Sequence, residues 1–277
     1  MMSVRIVSLY SGSTGNSFLI HTPSADILID AGKNAKRLCM ALAEAGVSPD
    51  DIRAVFITHE HNDHVSALPV FLKKHPVPVH ILTASAYKLA NDSSVAPCLC
   101  LHPPLFSETV GAIRVTSFPT PHDSRGSVGY RIEIDGENGQ AYKIGYATDI
   151  GHITAEIEAG LFGCDAVILE SNHDVELLKM GPYPYDLKQR ILSQRGHLSN
   201  PDSARCCVHL AQNGTRRILL AHLSEQNNTP LLAFRTVYSA LQEQGLCEQC
   251  TVAVAQRDVP TCLYDTELAT KEASLPC

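Results

Sequence analysis

Within the six positions His59-Glu60-His61-Asn62-Asp63-His64 the chain carries four side chains able to bind a metal, directly after the apolar run Ala54-Val55-Phe56-Ile57. Few folds accommodate such a cluster. The apolar run reads as a buried strand, and polar groups crowded at its end would lack partners in a packed interior unless a cation organised them. In an extended segment alternate side chains share a face, so His59 and His61 can point at one cation. Asp63 and His64, where the chain turns into a helix, then reach a neighbouring one. The spacing predicts two metals. Imidazole nitrogens and a carboxylate suit Zn²⁺, with Mn²⁺ or Fe²⁺ also compatible, and an incomplete protein shell leaves room for a reactive water.

The remaining ligands must come from other strand ends, and three candidates occupy such places. His122 lies just past the strand-like segment 112–118, Asp149 ends the segment 142–147 in Ala147-Thr148-Asp149, and His222 ends Ile218-Leu219-Leu220-Ala221. A carboxylate can bridge two cations with its two oxygens, which a neutral imidazole cannot do. Asp149 is therefore assigned the bridging role.

In type and order these residues, His59-x-His61-x-Asp63-His64, then His122, Asp149 and His222, resemble the metallo-β-lactamase superfamily. The resemblance spans most of the chain. It implies that His59, His61, His122 and Asp149 hold one divalent ion, and that Asp63, His64, Asp149 and His222 hold the other. It also implies an α/β fold of the four-layer αβ/βα kind, two mixed β-sheets packed face to face with helices outside. At the third metal-site position the zinc β-lactamases carry a cysteine where this chain has Asp149, so antibiotic hydrolysis is not expected.

Four further stretches are similar to the YycJ/WalJ group: Ser11-Gly12-Ser13-Thr14-Gly15-Asn16-Ser17, Glu170-Ser171-Asn172-His173-Asp174, Gly196-His197-Leu198-Ser199-Asn200, and Leu220 through Asn228. The order of acid, Gly-His-x-Ser and His-x-Ser around Glu170, His197 and His222 is also similar to ribonuclease Z and the nuclease branch. This resemblance implies phosphodiester hydrolysis, specifically a 5'-to-3' exonuclease on DNA with a metal-bridging hydroxide as nucleophile, and Asp63, Glu170 and His197 as catalytic residues. The interval from Asp149 to His197 is too short for the inserted second domain of the larger RNA-processing members.

Physical chemistry supports the phosphodiesterase reading separately. Two divalent cations about 3.5–4 Å apart hold a hydroxide at neutral pH and offset charge on the scissile phosphate during in-line attack. His197, in a turn after the amphipathic segment 186–195, would donate a hydrogen bond or proton to the phosphate or leaving oxygen, with Glu170 orienting its ring and raising its pKa. Gly196-His197 also fits a helix C-terminal cap. A thioester or lactone hydrolase of the glyoxalase type would use the same metals, and an iron redox centre or metal-stabilised binding module would use them without hydrolysis.

The formal net charge is −7, from 22 Lys and Arg against 29 Asp and Glu, whereas phosphate recognition usually leaves a basic footprint. Two divalent ions add positive charge where the phosphate sits. Lys179, Lys188, Arg190 and Arg195 surround Pro182-Tyr183-Pro184-Tyr185, where a tyrosine can stack on a base. A solvated amphipathic helix behind a proline-bounded loop explains the same residues. The expected partner is a nucleic-acid substrate, DNA ahead of RNA, with no membrane and no obligatory protein partner.

At 277 residues and 44% hydrophobic, the chain can bury a substantial core and fits a single domain over 1–277, with a frayed tail at 265–277. Its apolar runs are short, and its N-terminus enters strand-like alternation without a secretory signal, so a cytoplasmic location is expected. Ten irregularly spaced cysteines, with Cys206 and Cys207 adjacent, suit reduced thiols better than a disulfide framework. Cys247-x-x-Cys250 would be half a zinc site or a redox pair.

The patterning predicts strands at 4–9, 17–20, 26–29, 77–82, 128–135, 166–169 and 251–255, and helices at 35–45, 66–74, 201–212 and 229–244. No internal repeat or low-complexity linker interrupts them. Gly12-Ser13-Thr14-Gly15-Asn16 reads as a hairpin loop, which can also offer N–H groups to a phosphate.

Overall fold

The computed structural model describes residues 4–135 and 141–265, so the predicted frayed tail lies, apart from Asp265, outside the described residues. The chain opens with β1 (Arg5–Tyr10) and β2 (Ser17–His21), an antiparallel hairpin around the predicted glycine-rich loop, to which β3 (Asp26–Ile29) adds. It then crosses through α1 (Ala35–Glu44) to β4 (Ile52–Phe56), through α2 (Asn62–Val65) and α3 (Leu68–Lys74) to β5 (Val79–Leu82), and on to β6 (Leu99–His102). β3 to β6 pair in parallel. Strands buried on both faces read as unbroken apolar runs, which is why Ile27-Leu28-Ile29 and Ala54-Val55-Phe56 show no alternation.

The second half repeats the plan. β7 (Ser107–Val110), β8 (Ile113–Pro119), β9 (Val128–Ile134) and β10 (Tyr142–Ala147) form an antiparallel meander. α4 (Ala155–Leu161) leads to β11 (Ala166–Glu170). From there α5 (Val175–Met180), α6 (Tyr185–Ile191) and α7 (Asn200–Gln212) lead to β12 (Arg217–Ala221), and α8 (Pro230–Glu243) leads to β13 (Thr251–Val254). β10 to β13 run parallel, and β14 (Thr261–Asp265) returns to pair with β1. Among the described residues two seven-stranded sheets result, ordered β14-β1-β2-β3-β4-β5-β6 and β13-β12-β11-β10-β9-β8-β7.

Three apolar clusters separate four layers. One joins the sheets face to face, with Ile6, Phe18, Ile27 and Phe56 meeting Val115, Tyr130, Ile144 and Leu219. The others lie outside the sheets, beneath α1 and α3 and beneath α4, α7 and α8. The helices begin where the sequence supplies caps: the side chains of Asn34, Ser199 and Thr229 accept from Arg37, Asp202 and Leu232 N–H groups.

Several boundaries differ from the sequence reading. The helix expected at 66–74 starts at Leu68, and the separate turn α2 carries Asp63 and His64. The strand expected at 77–82 starts after Pro78, which has no N–H to give a ladder. Glu170 belongs to β11 itself, and the segment 186–195 is helical only to Ile191. β6, β7, β14, α4 and α5 have no counterpart in the sequence reading; four to seven residues of mixed polarity give too little periodicity to stand out.

Candidate metal centre

All seven residues expected to bind metal lie where strands of the two sheets end, and they converge. Ligand-capable atoms of His59, His61 and His122 lie within 4.8 Å of one another, as do those of Asp63, His64, Asp149 and His222. The segment after β4 bends rather than running straight on, and His61 becomes the N-cap residue of α2, which turns Asp63 and His64 toward the second group.

Asp149 stands between the groups. Its Oδ2 is 3.2 Å from His64 Nε2 and 2.9 Å from His222 Nδ1, while Oδ1 is 3.9 Å from His122 Nε2. Both Asp149 and His222 adopt left-handed backbone, with φ of 57° and 55°, immediately beyond the ends of β10 and β12. Such conformations cost roughly 1–3 kcal/mol in non-glycine residues and persist only where the surroundings enforce them. Here His222 N–H donates to Ser11 Oγ, and its carbonyl accepts from Asn172 Nδ2, both at 2.9 Å.

A divalent cation fits this donor set on a direct observation. His59 Nε2 is buried without a hydrogen-bond partner, and Asp149 Oδ2 and His222 Nδ1 meet at 2.9 Å without hydrogen-bond geometry, an arrangement that is costly unless another group completes it. The opposite ring nitrogens are held from behind, as metal-binding imidazoles require. His59 Nδ1 is 3.0 Å from Thr58 Oγ1, His122 Nδ1 is 3.3 Å from the Gly196 carbonyl, and His64 Nδ1 is 2.8 Å from Asp30 Oδ2.

Asp30 escaped the sequence reading. It lies just beyond β3 at φ 62°, fully buried, and it also accepts from Thr58 N–H at 2.9 Å. Its signal is a carboxylate ending the apolar run Ile27-Leu28-Ile29. The Ser11–Ser17 stretch, which reads in the sequence as a hairpin loop able to offer N–H groups to a phosphate, also reaches the second group through a side chain. Its buried Asn16 places Nδ2 3.4 Å from Asp63 Oδ2 and 3.3 Å from His64 Nε2. Asp123 was also passed over; its Oδ1 is 3.3 Å from His122 Nε2.

His197 and Glu170 form a pair beside the metal-ligand groups, with Nδ1 and Oε1 2.7 Å apart. The other Glu170 oxygen accepts from Ile150 and Leu198 N–H groups at 2.8 and 3.1 Å. Burial opposes ionisation of Glu170, but the charge and hydrogen bond of His197 outweigh it and bring the carboxyl down to about 2. Burial likewise disfavours a charged His197, and Glu170 overrides it, raising the imidazole above its usual range. Gly196 thus serves His122 through its carbonyl while the His197 ring lines a cleft with Ser13, Asn172, Tyr183, Arg190 and Ser224.

The basic residues expected around this cleft are already engaged. Arg195 donates to the His122 carbonyl, Lys188 to the Lys179 carbonyl, Lys179 pairs with Glu176, and Arg190 with Asp123. Cys247 and Cys250 are free thiols, and among the described residues no group of potential metal ligands includes a cysteine. Among the described residues no helix is long and apolar enough to cross a membrane.

Residues 10–138 match the family model of the metallo-beta-lactamase superfamily. The exodeoxyribonuclease WalJ of Streptococcus pneumoniae is 34% identical over 242 residues, covering 86% of this chain and 88% of that protein. The exodeoxyribonuclease YycJ of Bacillus anthracis is 33% identical over 252 residues, covering 88% and 91%. Among solved structures, the metallo-beta-lactamase fold protein YhfI of Bacillus subtilis superposes with a TM-score of 0.69 at 17% identity, over 95% of this chain and 100% of that one. Ligand geometry, sheet order and these relatives agree, and the chain belongs to the metallo-β-lactamase superfamily and, within it, to the WalJ/YycJ family.

Proposed function

We propose that the protein is a metal-dependent exodeoxyribonuclease that degrades DNA from a 5' end, with two divalent cations held by His59, His61, His122 and Asp149 and by Asp63, His64, Asp149 and His222. The observation that carries this reading is the position of Asp149, with one oxygen toward each group of imidazoles and Oδ1 3.7 Å from His197 Nδ1 of the His197–Glu170 pair. The relatives named as exodeoxyribonucleases support the substrate class. Zn²⁺ suits the nitrogen-rich set, and Mn²⁺ is the hard alternative. The two ligand groups draw on both halves of the chain, which supports a single catalytic domain, and the free thiols suit a cytoplasmic location.

When bound, two divalent cations supply activation of water and neutralisation of charge on the phosphate. The chain's own side chains orient and deliver protons. Asp63 lies at the rim of the second group, with Oδ2 3.6 Å from His222 Nε2, where a carboxylate can steer the proton of an attacking water. Glu170 fixes the His197 ring through Nδ1, so Nε2 is the nitrogen available to the phosphate or the leaving oxygen. A histidinium stabilised by Glu170 suits that acid role.

The test is to strip the protein with a chelator, reload it with Mn²⁺ or Zn²⁺, and incubate it with end-labelled single- and double-stranded DNA and RNA. Stepwise loss of nucleotides from the 5' end of DNA is expected. Intact DNA with turnover of S-acyl thiols would overturn the reading in favour of a thioesterase.

A further inference from the structure

The cleft beside His197 has one wall that the metal centre does not use. Tyr183 lies in the turn between α5 and α6, flanked by Pro182 and Pro184, and its half-buried ring lines the cleft with His197, Asn172, Ser13, Ser224 and Arg190. The prolines restrict the backbone on both sides of the ring, so little conformational freedom remains to be lost when something packs on it. The cleft is small, about 160 Å³ against the roughly 300 Å³ of ordinary ligand pockets, so it can take no more than part of the terminal nucleotide of a strand.

The polar lining assigns the two ends of that nucleotide. His197, with its ring fixed by Glu170, would face the phosphate, the hydroxyl and amide groups of Ser13, Ser224 and Asn172 suit sugar and phosphate oxygens, and the Asp123 carboxylate that also lines the cleft is paired with Arg190. Arg190 is tied to Asp123, whose Oδ1 lies 3.3 Å from His122 Nε2, so α6 is anchored to the metal-ligand group and the turn before it is held in register with the chemistry. An aromatic ring in the same cleft as the acid is suited to the flat side of a base, a face that every base has. The lysines and arginines nearby are engaged elsewhere, so recognition of the end cannot rest on free cations alone.

We infer that Tyr183 is the platform on which the base adjoining the scissile phosphate stacks, and that this contact fixes the strand end in the cleft. The inference rests on the exonuclease reading and adds the group that grips the terminal nucleotide. Because stacking is indifferent to base identity, the protein should trim ends of any sequence at similar rates.

The experiment compares wild type, Tyr183→Phe and Tyr183→Ala on end-labelled single-stranded DNA whose 5'-terminal nucleotide is either normal or abasic. With normal DNA, Tyr183→Ala is expected to raise KM about tenfold or more with kcat little changed, and Tyr183→Phe to behave as wild type. With abasic ends, wild type should show the same rise in KM and Tyr183→Ala should add nothing to it. If Tyr183→Ala slows both substrates equally, or neither, the stacking inference fails while the exonuclease reading stands. If wild type leaves normal DNA intact, the exonuclease reading itself fails.

Discussion

At the scale of single residues, the proposed function separates metal ligands from the His197–Glu170 pair, and substitutions should report the difference. His222→Ala is expected to lose one metal equivalent together with activity, whereas His197→Ala should keep both and slow cleavage about 10²–10⁴-fold, the usual span for a general acid. Metal content by mass spectrometry alongside turnover checks this, and equal metal loss in both variants would refute the division of roles. Asp30→Asn removes the charge behind His64 without changing size, and metal affinity should fall roughly 10–100-fold in a competitive chelator titration. His59 to His64 were legible because their chemistry is compressed into one local pattern. Asp30 was not, since its partner lies 34 residues away and an acid after an apolar run is also what a turn looks like. Asp149 and His222 were readable as strand ends, yet their left-handed backbone was invisible, because neither residue type announces it.

At the scale of elements, close approach of loops sets the geometry of the second metal-ligand group. A Cβ at Gly32 would sit 1.9 Å from the Asp63 carbonyl and 2.6 Å from Asn16 N, so Gly32→Ala must push α2 away from the β1–β2 hairpin. A loss of about 1–3 kcal/mol in urea unfolding is expected, with weaker retention of the metal held by Asp63 and His64. On the adjoining strands, His80 of β5 and His102 at the end of β6 meet with ring nitrogens 3.0 Å apart, between Phe56 and Phe106. Burial lowers the pKa of both, aided for His80 by His102. A depressed imidazole contributes stability above its unfolded pKa of about 6.5 and loses it as pH falls below that value. Wild type should therefore lose more stability than His80→Phe between about pH 7.5 and about pH 5.5, measured as urea midpoints; parallel slopes would disprove it. The long capped helices were readable from periodicity, whereas β6, β7 and β14 draw their definition from neighbouring strands instead of their own residues.

At the scale of the whole molecule, the first half of the chain supplies His59, His61, Asp63 and His64, and the second supplies His122, Asp149 and His222. A cation bound between them stabilises the assembled state alone, by about 2.7 kcal/mol when present at a hundredfold its dissociation constant. Chelation should lower the melting temperature in calorimetry, and His222→Ala should show a smaller drop; a melting temperature indifferent to chelator would contradict shared ligation. The αβ/βα layering was available from the sequence only through family resemblance, because no local pattern specifies that two sheets will face each other. The halves meet in sequence at the short link, residues 103–106, between β6 and β7. Severing the backbone there would yield two polypeptides, each bearing an incomplete coordination set, with β14 of the second completing the sheet begun by β1 of the first. Added ion would tighten a reunion that the apolar face between the sheets already favours, which makes the molecule a scaffold for a two-fragment sensor of divalent cations.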